Sequence, residues 1–155
     1  MCGIAGYWGT GDEHILNNMI DSIFYRGPDD KGIFVKGMLG LAQRRLSIID
    51  TSPNGHQPMS NDDETVWIVF NGEIYNYKNL KSELVGKYNF KSQSDTEVII
   101  RLYEEIGEEV FSRIQGMFAI ALFDSKKNKL YLARDRMGKK PLYWSQSNGA
   151  FLFGS

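Results

Sequence analysis

Apolar positions change their spacing several times along this chain, and each change marks an element. Ile4, Ala5, Gly6, Tyr7 and Trp8 form a short apolar run interrupted by Gly9-Thr10-Gly11-Asp12, which predicts a buried strand followed by a turn. From Asp12 the period lengthens. Ile15, Met19, Ile20, Ile23 and Phe24 recur mostly at three- and four-residue steps, one face of a helix with Asp12 as N-cap and Gly27-Pro28-Asp29-Asp30 as its end. Residues 32–35 and 39–42 read as a hairpin around Lys36-Gly37-Met38. A short apolar stretch at 46–49 precedes an irregular segment, 50–64, rich in Pro, Asn, Gly and Asp. Residues 65–70 are dense in Val, Ile, Trp and Phe and predict the clearest strand, and Asn71-Gly72 after it carries a strong turn signal. Leu80, Leu84 and Tyr88 mark one helix; 95–106 marks another, with Val98, Ile99, Leu102 and Ile106 on one face and Gly107 as C-cap. The remainder is strand-like at 117–123, 129–133, 142–144 and 151–153, with turns at 124–128 and 146–149. Strands at both ends with helices between them predict an α+β fold, sheets packed together and helices outside.

Composition narrows the function classes. A chain of 155 residues, 42% hydrophobic and 24% charged, suits one globular domain with a real core. Its 18 basic and 19 acidic residues leave a net charge of −1, without the electrostatic footprint of a nucleic-acid binder. No apolar run approaches the ~20 residues of a membrane span, and no basic-then-apolar leader opens the chain. A single cysteine, at position 2, can form neither an internal disulfide nor a multi-thiolate zinc site. His14 and His56 have no ligand-spaced partners, so no metal is expected. These features predict a cytoplasmic protein without a membrane partner. The run Phe151-Leu152-Phe153-Gly154-Ser155 stays apolar almost to the last residue, as in a piece of a longer chain.

Cys2 follows the initiator Met directly, and aminopeptidases remove Met before a small residue. Processing would leave one residue carrying both a thiol and a free α-amine, whose reference pKa values are ~8.5 and ~7.7–8.0. A neutral amine can take the thiol proton and later return it to a leaving group, with a pKa near the operating pH. The plain alternative is a small buried hydrophobe in a strand. A thiolate attacking a carboxamide builds an oxyanion that needs aimed donors. The Asn71 amide and the Gly72 N–H could converge on one, although Asn-Gly equally makes an ordinary hairpin turn. Arg44-Arg45 offers a forked donor for a carboxylate, with Arg44 reading as the surface or ion-paired member. Asp95 could cap its helix or hold an ammonium group. Arg134-Asp135-Arg136 reads as a structural ion-pair cluster.

Together these pieces sit in a longer series: Cys2-Gly3-Ile4-Ala5-Gly6, Arg26-Gly27-Pro28-Asp29, Arg45-Leu46-Ser47-Ile48-Ile49-Asp50, Gly55-His56-Gln57-Pro58-Met59, Phe70-Asn71-Gly72-Glu73-Ile74-Tyr75-Asn76, Ser94-Asp95-Thr96-Glu97, Gly116-Met117-Phe118-Ala119, Arg134-Asp135-Arg136-Met137-Gly138 and Pro141-Leu142-Tyr143, closing on Phe153-Gly154-Ser155. Over nearly the whole chain this series resembles the N-terminal glutaminase domain of glutamine-hydrolysing asparagine synthetases, within the class II (N-terminal nucleophile) glutamine amidotransferases. The resemblance implies a four-layer αββα sandwich of the N-terminal nucleophile hydrolase type. It makes Cys2 the nucleophile, with its own α-amine as base, and Asn71 and Gly72 the oxyanion hole. Arg45 would hold the α-carboxylate of L-glutamine and Asp95 its α-ammonium. Glu73 would line the same pocket, and Leu46, Ser47, Ile48 and Ile49 would form its wall. Arg26 would support the active arrangement of the nucleophile. No cofactor is implied for residues 1–155; ATP and magnesium would belong to a synthetase domain expected after them, which with glutamine and a second copy in a homodimer completes the implied partners. Tyr25 and Gln43 stand where the family usually has His, at positions that are not catalytic. Two readings stay open beside this one: a related enzyme with another acceptor, and a non-catalytic chain that retains Met1.

Overall fold

The computed structural model describes residues 2–47, 50 and 52–155. Among them the strands are β1 (Gly3–Gly9), β2 (Asp30–Lys36), β3 (Leu39–Arg45), β4 (Met59–Ser60), β5 (Val66–Ile74), β6 (Gly116–Asp124), β7 (Lys129–Arg134), β8 (Tyr143–Ser147) and β9 (Ala150–Gly154). The helices are α1 (Glu13–Asp21), α2 (Tyr77–Leu84), α3 (Asp95–Ile106) and the single turn α4 (Val110–Arg113). One sheet runs β2-β3-β1-β9-β8 and the other β4-β5-β6-β7, every pair antiparallel.

Alternation along the strands explains the layers. Side chains of successive strand residues point to opposite faces, so a strand with apolar residues at both parities is covered twice. In β5, Val66, Ile68 and Phe70 join Val98, Leu102 and Ile114 in a core between that sheet and its helices. The opposite parity, Trp67 and Val69, meets Ile4, Leu39, Leu41 and Phe153 between the two sheets, together with Ala119, Ala121 and Phe123 of β6. Ala5, Tyr7 and Ala42, from the outer face of the first sheet, pack on Leu16 and Ile20 of α1. Helix, sheet, sheet, helix is therefore the order of layers, as expected from the sequence. Aromatic rings lock the sheet-to-sheet interior: Phe34 stacks on Trp67 with centroids 3.8 Å apart, and Trp8 meets Phe123 edge-on at 5.5 Å.

Most expected elements are in place. Asp12 caps α1 by accepting the Ile15 N–H at 2.8 Å, and Gly107 ends α3 at φ 61°. Three expectations need correction. Of the expected apolar face of α1, Met19, Ile20 and Ile23 do pack on the first sheet together with Leu16, whereas Ile15 and Phe24 are exposed, Phe24 lying beyond the helix, which ends at Asp21. The second helix ends at Leu84, leaving Tyr88 beyond it. Asn71-Gly72 makes no hairpin turn: β5 runs straight through it to Ile74, paired with β6 over its full length. A continuous nine-residue ladder outweighs the local preference of two residues.

Candidate active site

At one end the interior between the sheets stops being apolar. On β3 the inward parity runs Leu39, Leu41, then Gln43 and Arg45; on β5 it runs Trp67, Val69, then Asn71 and Glu73. Cys2, one step before β1, falls on the inward parity of Ile4. These residues surround a cavity of about 220 Å³ whose walls include Cys2, Arg45, Leu46, Asn71, Glu73 and Asp95. That volume lies below the ~300–1,000 Å³ of drug-sized sites and is on the scale of one amino acid.

Cys2, Gln43, Arg45, Asp50 and Gln57 on this wall are each held by hydrogen bonds. The Leu46 N–H donates to Cys2 Sγ at 3.4 Å, and the thiol faces Leu46 O at 3.6 Å. The Arg45 guanidinium donates to the carbonyl oxygens of Asp50 and of Ser52, the latter at 3.1 Å. Gly55 is glycine for a visible reason: a Cβ there would overlap the Arg45 guanidinium. Asp50 is tied in turn by Ser52, whose hydroxyl and N–H bond Oδ1, and by the Gln93 N–H on Oδ2. The Ser52 hydroxyl holds the Asp50 carboxyl below its ordinary pKa, against the effect of burial. Gln43 Nε2 donates to Phe70 O at 2.8 Å, and Gln57 accepts the Phe70 N–H at 2.7 Å while donating to Thr96 Oγ1 at 3.0 Å.

Around Gly72, the side of β5 away from β6 is open, since β4 pairs only with Trp67 and Ile68. The Phe70 N–H reaches Gln57 on that side, and the Ile74 N–H reaches Asp95 Oδ2 at 2.9 Å. By the same two-residue alternation the Gly72 N–H, midway between them, points to that open side. A Cβ on Gly72 would overlap the Met117 carbonyl of the neighbouring strand, so the close β5–β6 approach itself requires glycine. Asp95 is the first residue of α3, and Ser94 rather than Asp95 is the N-cap, its side chain accepting the Thr96 N–H at 3.1 Å. Freed from capping, Asp95 turns its carboxyl to the cavity, where burial raises its pKa to about 6 despite N–H bonds from Ile74 and Thr96; Glu73 adds repulsion.

The glutamine amidotransferase domain family matches residues 1–155, the whole chain. The chain belongs to that family. Asparagine synthetase [glutamine-hydrolyzing] 2 of Bacillus subtilis (strain 168) is 46% identical to it over 100% of this chain but 21% of its own length. Asparagine synthetase B [glutamine-hydrolyzing] of Escherichia coli (strain K12) is 45% identical over 77% of this chain and 21% of its own. The chain thus spans about a fifth of the length of these relatives. In fold it is similar to the glutamine phosphoribosylpyrophosphate amidotransferase from B. subtilis, solved with ADP and GMP, at a TM-score of 0.84 and 22% identity over 99% of this chain and 41% of that one.

Of the residues singled out in the sequence, this amidotransferase domain brings Cys2, Asn71, Gly72, Arg45, Leu46, Glu73 and Asp95 to one cavity. Ser47 is not on that wall; its N–H donates to Asp29 Oδ2 at 2.8 Å. Ile48, Ile49 and Met1 lie outside the described residues. Arg26 sits behind the nucleophile, its Nε 3.4 Å from Cys2 O. Arg44 is paired with Asp21, as its surface reading expected. Arg134-Asp135-Arg136 is no ion-pair cluster. Asp135 accepts the N–H groups of Phe118, Lys139 and Lys140, while Arg134 and Arg136 donate to backbone carbonyls. Burial alone would raise the Asp135 pKa, but those amides outweigh it and hold it low. The loop so fixed places Lys140, only 4% exposed, on the cavity wall. Sequence reasoning missed Lys140, and also Gln57 and Thr96; the signal for Gln57 was its place in the Gly55–Met59 block, read there as motif without a role.

Proposed function

We propose that this chain is a glutaminase, converting L-glutamine and water to L-glutamate and ammonia through a γ-glutamyl thioester on Cys2. The observation that carries the reading is the convergence of Cys2, the Asn71-Gly72 stretch of β5, Arg45 and Asp95 on one amino-acid-sized cavity. Arg45 supplies a cation for the α-carboxylate, and Asp95 with Glu73 supplies anionic oxygens for the α-ammonium. A bound ammonium lowers the Asp95 pKa from about 6, so the carboxylate is ionised when substrate is present at neutral pH.

With Met1 removed, the neutral α-amine of Cys2 takes the thiol proton and sulfur attacks the γ-carbonyl carbon. The carbonyl electron pair moves to oxygen, and the oxyanion accepts hydrogen bonds from Asn71 Nδ2 and the Gly72 N–H. As the tetrahedral species collapses, the protonated amine of Cys2 gives its proton to the departing nitrogen, ammonia leaves and the thioester remains. Water then attacks the thioester, the amine takes the water's proton, and the returning thiolate is reprotonated as glutamate forms.

That the ammonia feeds an ATP-dependent amidation of the asparagine synthetase type, on a synthetase domain joined to this one, is the further part of the proposal. Its support is that relatives carrying that name match the chain over its full length while being several times longer. A cytoplasmic setting agrees with a lone free cysteine, and among the described residues no helix is long and apolar enough to cross a membrane. The test is ammonia release from glutamine by protein whose N-terminus is shown by mass to be Cys2. Cys2→Ala is expected to lose turnover by a factor on the order of 10³ or more, as nucleophile removal does elsewhere. Equal turnover in the variant would end the mechanism. Alkylation of Cys2 by diazo-oxonorleucine checks the same point independently.

A further inference from the structure

Ser155 extends the β9–β1 ladder by one pair: its N–H donates to Ile4 O at 2.9 Å, and the Ile4 N–H donates to Ser155 O at 3.2 Å. Alternation therefore turns its side chain the same way as that of Phe153, toward the facing sheet. There Asn71 Nδ2 donates to Ser155 Oγ at 2.8 Å. Asn71 is 1% exposed, and its Oδ1 has no hydrogen-bond partner among the described residues. The serine hydroxyl is thus the group that holds the plane of this amide.

The orientation matters because the terminal torsion of asparagine is broad and roughly two-fold. A twist of the amide plane would carry the Nδ2 donor away from the developing negative charge. Resting on the glutaminase reading above, we propose that Ser155 is a positioning residue of the reaction: its Oγ takes one Nδ2 hydrogen and so aims the other at the oxyanion. Its backbone is at the same time paired with Ile4, two residues from Cys2. One residue fastens the donor on β5 to the strand that carries the nucleophile.

The experiment uses the full chain, mature at Cys2, and compares the parent with Ser155→Thr, which keeps the hydroxyl, and Ser155→Val, which keeps the same branched shape without it. Ser155→Val is expected to lower kcat roughly 10- to 100-fold, less than outright loss of an oxyanion donor. KM for glutamine stays where it was, because Arg45 and Asp95 are untouched. Inhibition by glutamate γ-semialdehyde, whose thiol adduct places an oxygen at the same spot, weakens by the same factor. Ser155→Thr retains both. A kcat in Ser155→Val equal to that in Ser155→Thr, or a loss shared by KM with aldehyde inhibition unchanged, overturns the inference while Cys2-dependent turnover of the parent leaves the glutaminase reading standing. A parent without Cys2-dependent ammonia release removes both.

Discussion

The two ends of the space between the sheets are buried alike and held together by different forces. At one end Leu39, Leu41, Val69 and Phe123 are at most 6% exposed; at the other Gln43, Arg45, Asn71 and Asp95 are at most 9% exposed. The same strands, at the same parity, supply Leu41 and Gln43, or Val69 and Asn71. The apolar end gains from removing hydrocarbon from water and needs only shape. The polar end gains nothing from burial and is kept in place by bonds to backbone: Gln43 on Phe70 O, Arg45 on Asp50 O and Ser52 O, Asp95 on the Ile74 N–H. What it retains are donors and acceptors fixed in space with room beside them, which is what binding and catalysis require. One end carries stability and the other carries chemistry.

That contrast can be broken or sharpened by substitution. The largest expected effect on stability is at the apolar end: Leu41→Ala should cost about 2–5 kcal/mol in chemical denaturation. Turnover per folded molecule should be unchanged, since the cavity walls begin two residues further along. A comparable loss of turnover would show that the ends are not separate.

Asp95→Asn should move stability the opposite way. Folding raises the Asp95 pKa from the model-compound value of 3.8 to about 6, so between those values the folded chain holds the proton more tightly than the unfolded one. Stability from this group falls as pH rises through that window, reaching a deficit of about 3 kcal/mol above it. The Asn variant lacks the deficit and is expected to melt higher than the parent at pH 7.5, with the difference vanishing near pH 4. Its glutamine KM should rise at the same time. A variant less stable than the parent at pH 7.5 would mean that the carboxylate is a net contributor to the fold.

The smallest effect is expected at Gly55→Ala. The added methyl overlaps the far end of the Arg45 side chain and comes within 3.1 Å of the Asp50 carbonyl oxygen, so the guanidinium should shift while the backbone yields by only a few tenths of an ångström. KM for glutamine is expected to rise roughly tenfold, the scale of one misplaced charge-assisted hydrogen bond, with kcat retained. A drop in melting temperature with KM intact would place the role of Gly55 in packing.

How much of this was legible beforehand differs between fold and site. The strand at 4–8, the helix capped by Asp12 and the helix from 95 to 106 carry their own periods, and those were read from spacing alone. The path of β5 through Asn71-Gly72 was not, because a turn preference is local whereas the nine-residue pairing with β6 is not. Residue types pointed to Cys2, Arg45 and Asp95 as chemically able. Gln57 and Thr96 stand inside recognisable blocks, but their residue types alone do not name a role; Lys140 stands outside the blocks and reaches the cavity through the backbone bonds that Asp135 and Arg134 make to its loop.

Amino-acid order by itself determined the periods, the caps, the balance of charge and a single cysteine at position 2. Only the tertiary structure decided that positions 2, 45, 71 and 95 share one wall. Periodicity is written in neighbours, whereas a cavity depends on register between strands far apart in sequence: Gly3 opposite Arg44, Asn71 opposite Ala119, Ala5 opposite Gly154. A slip of one residue in any of those pairings would turn every inward side chain outward and leave the chain without a site.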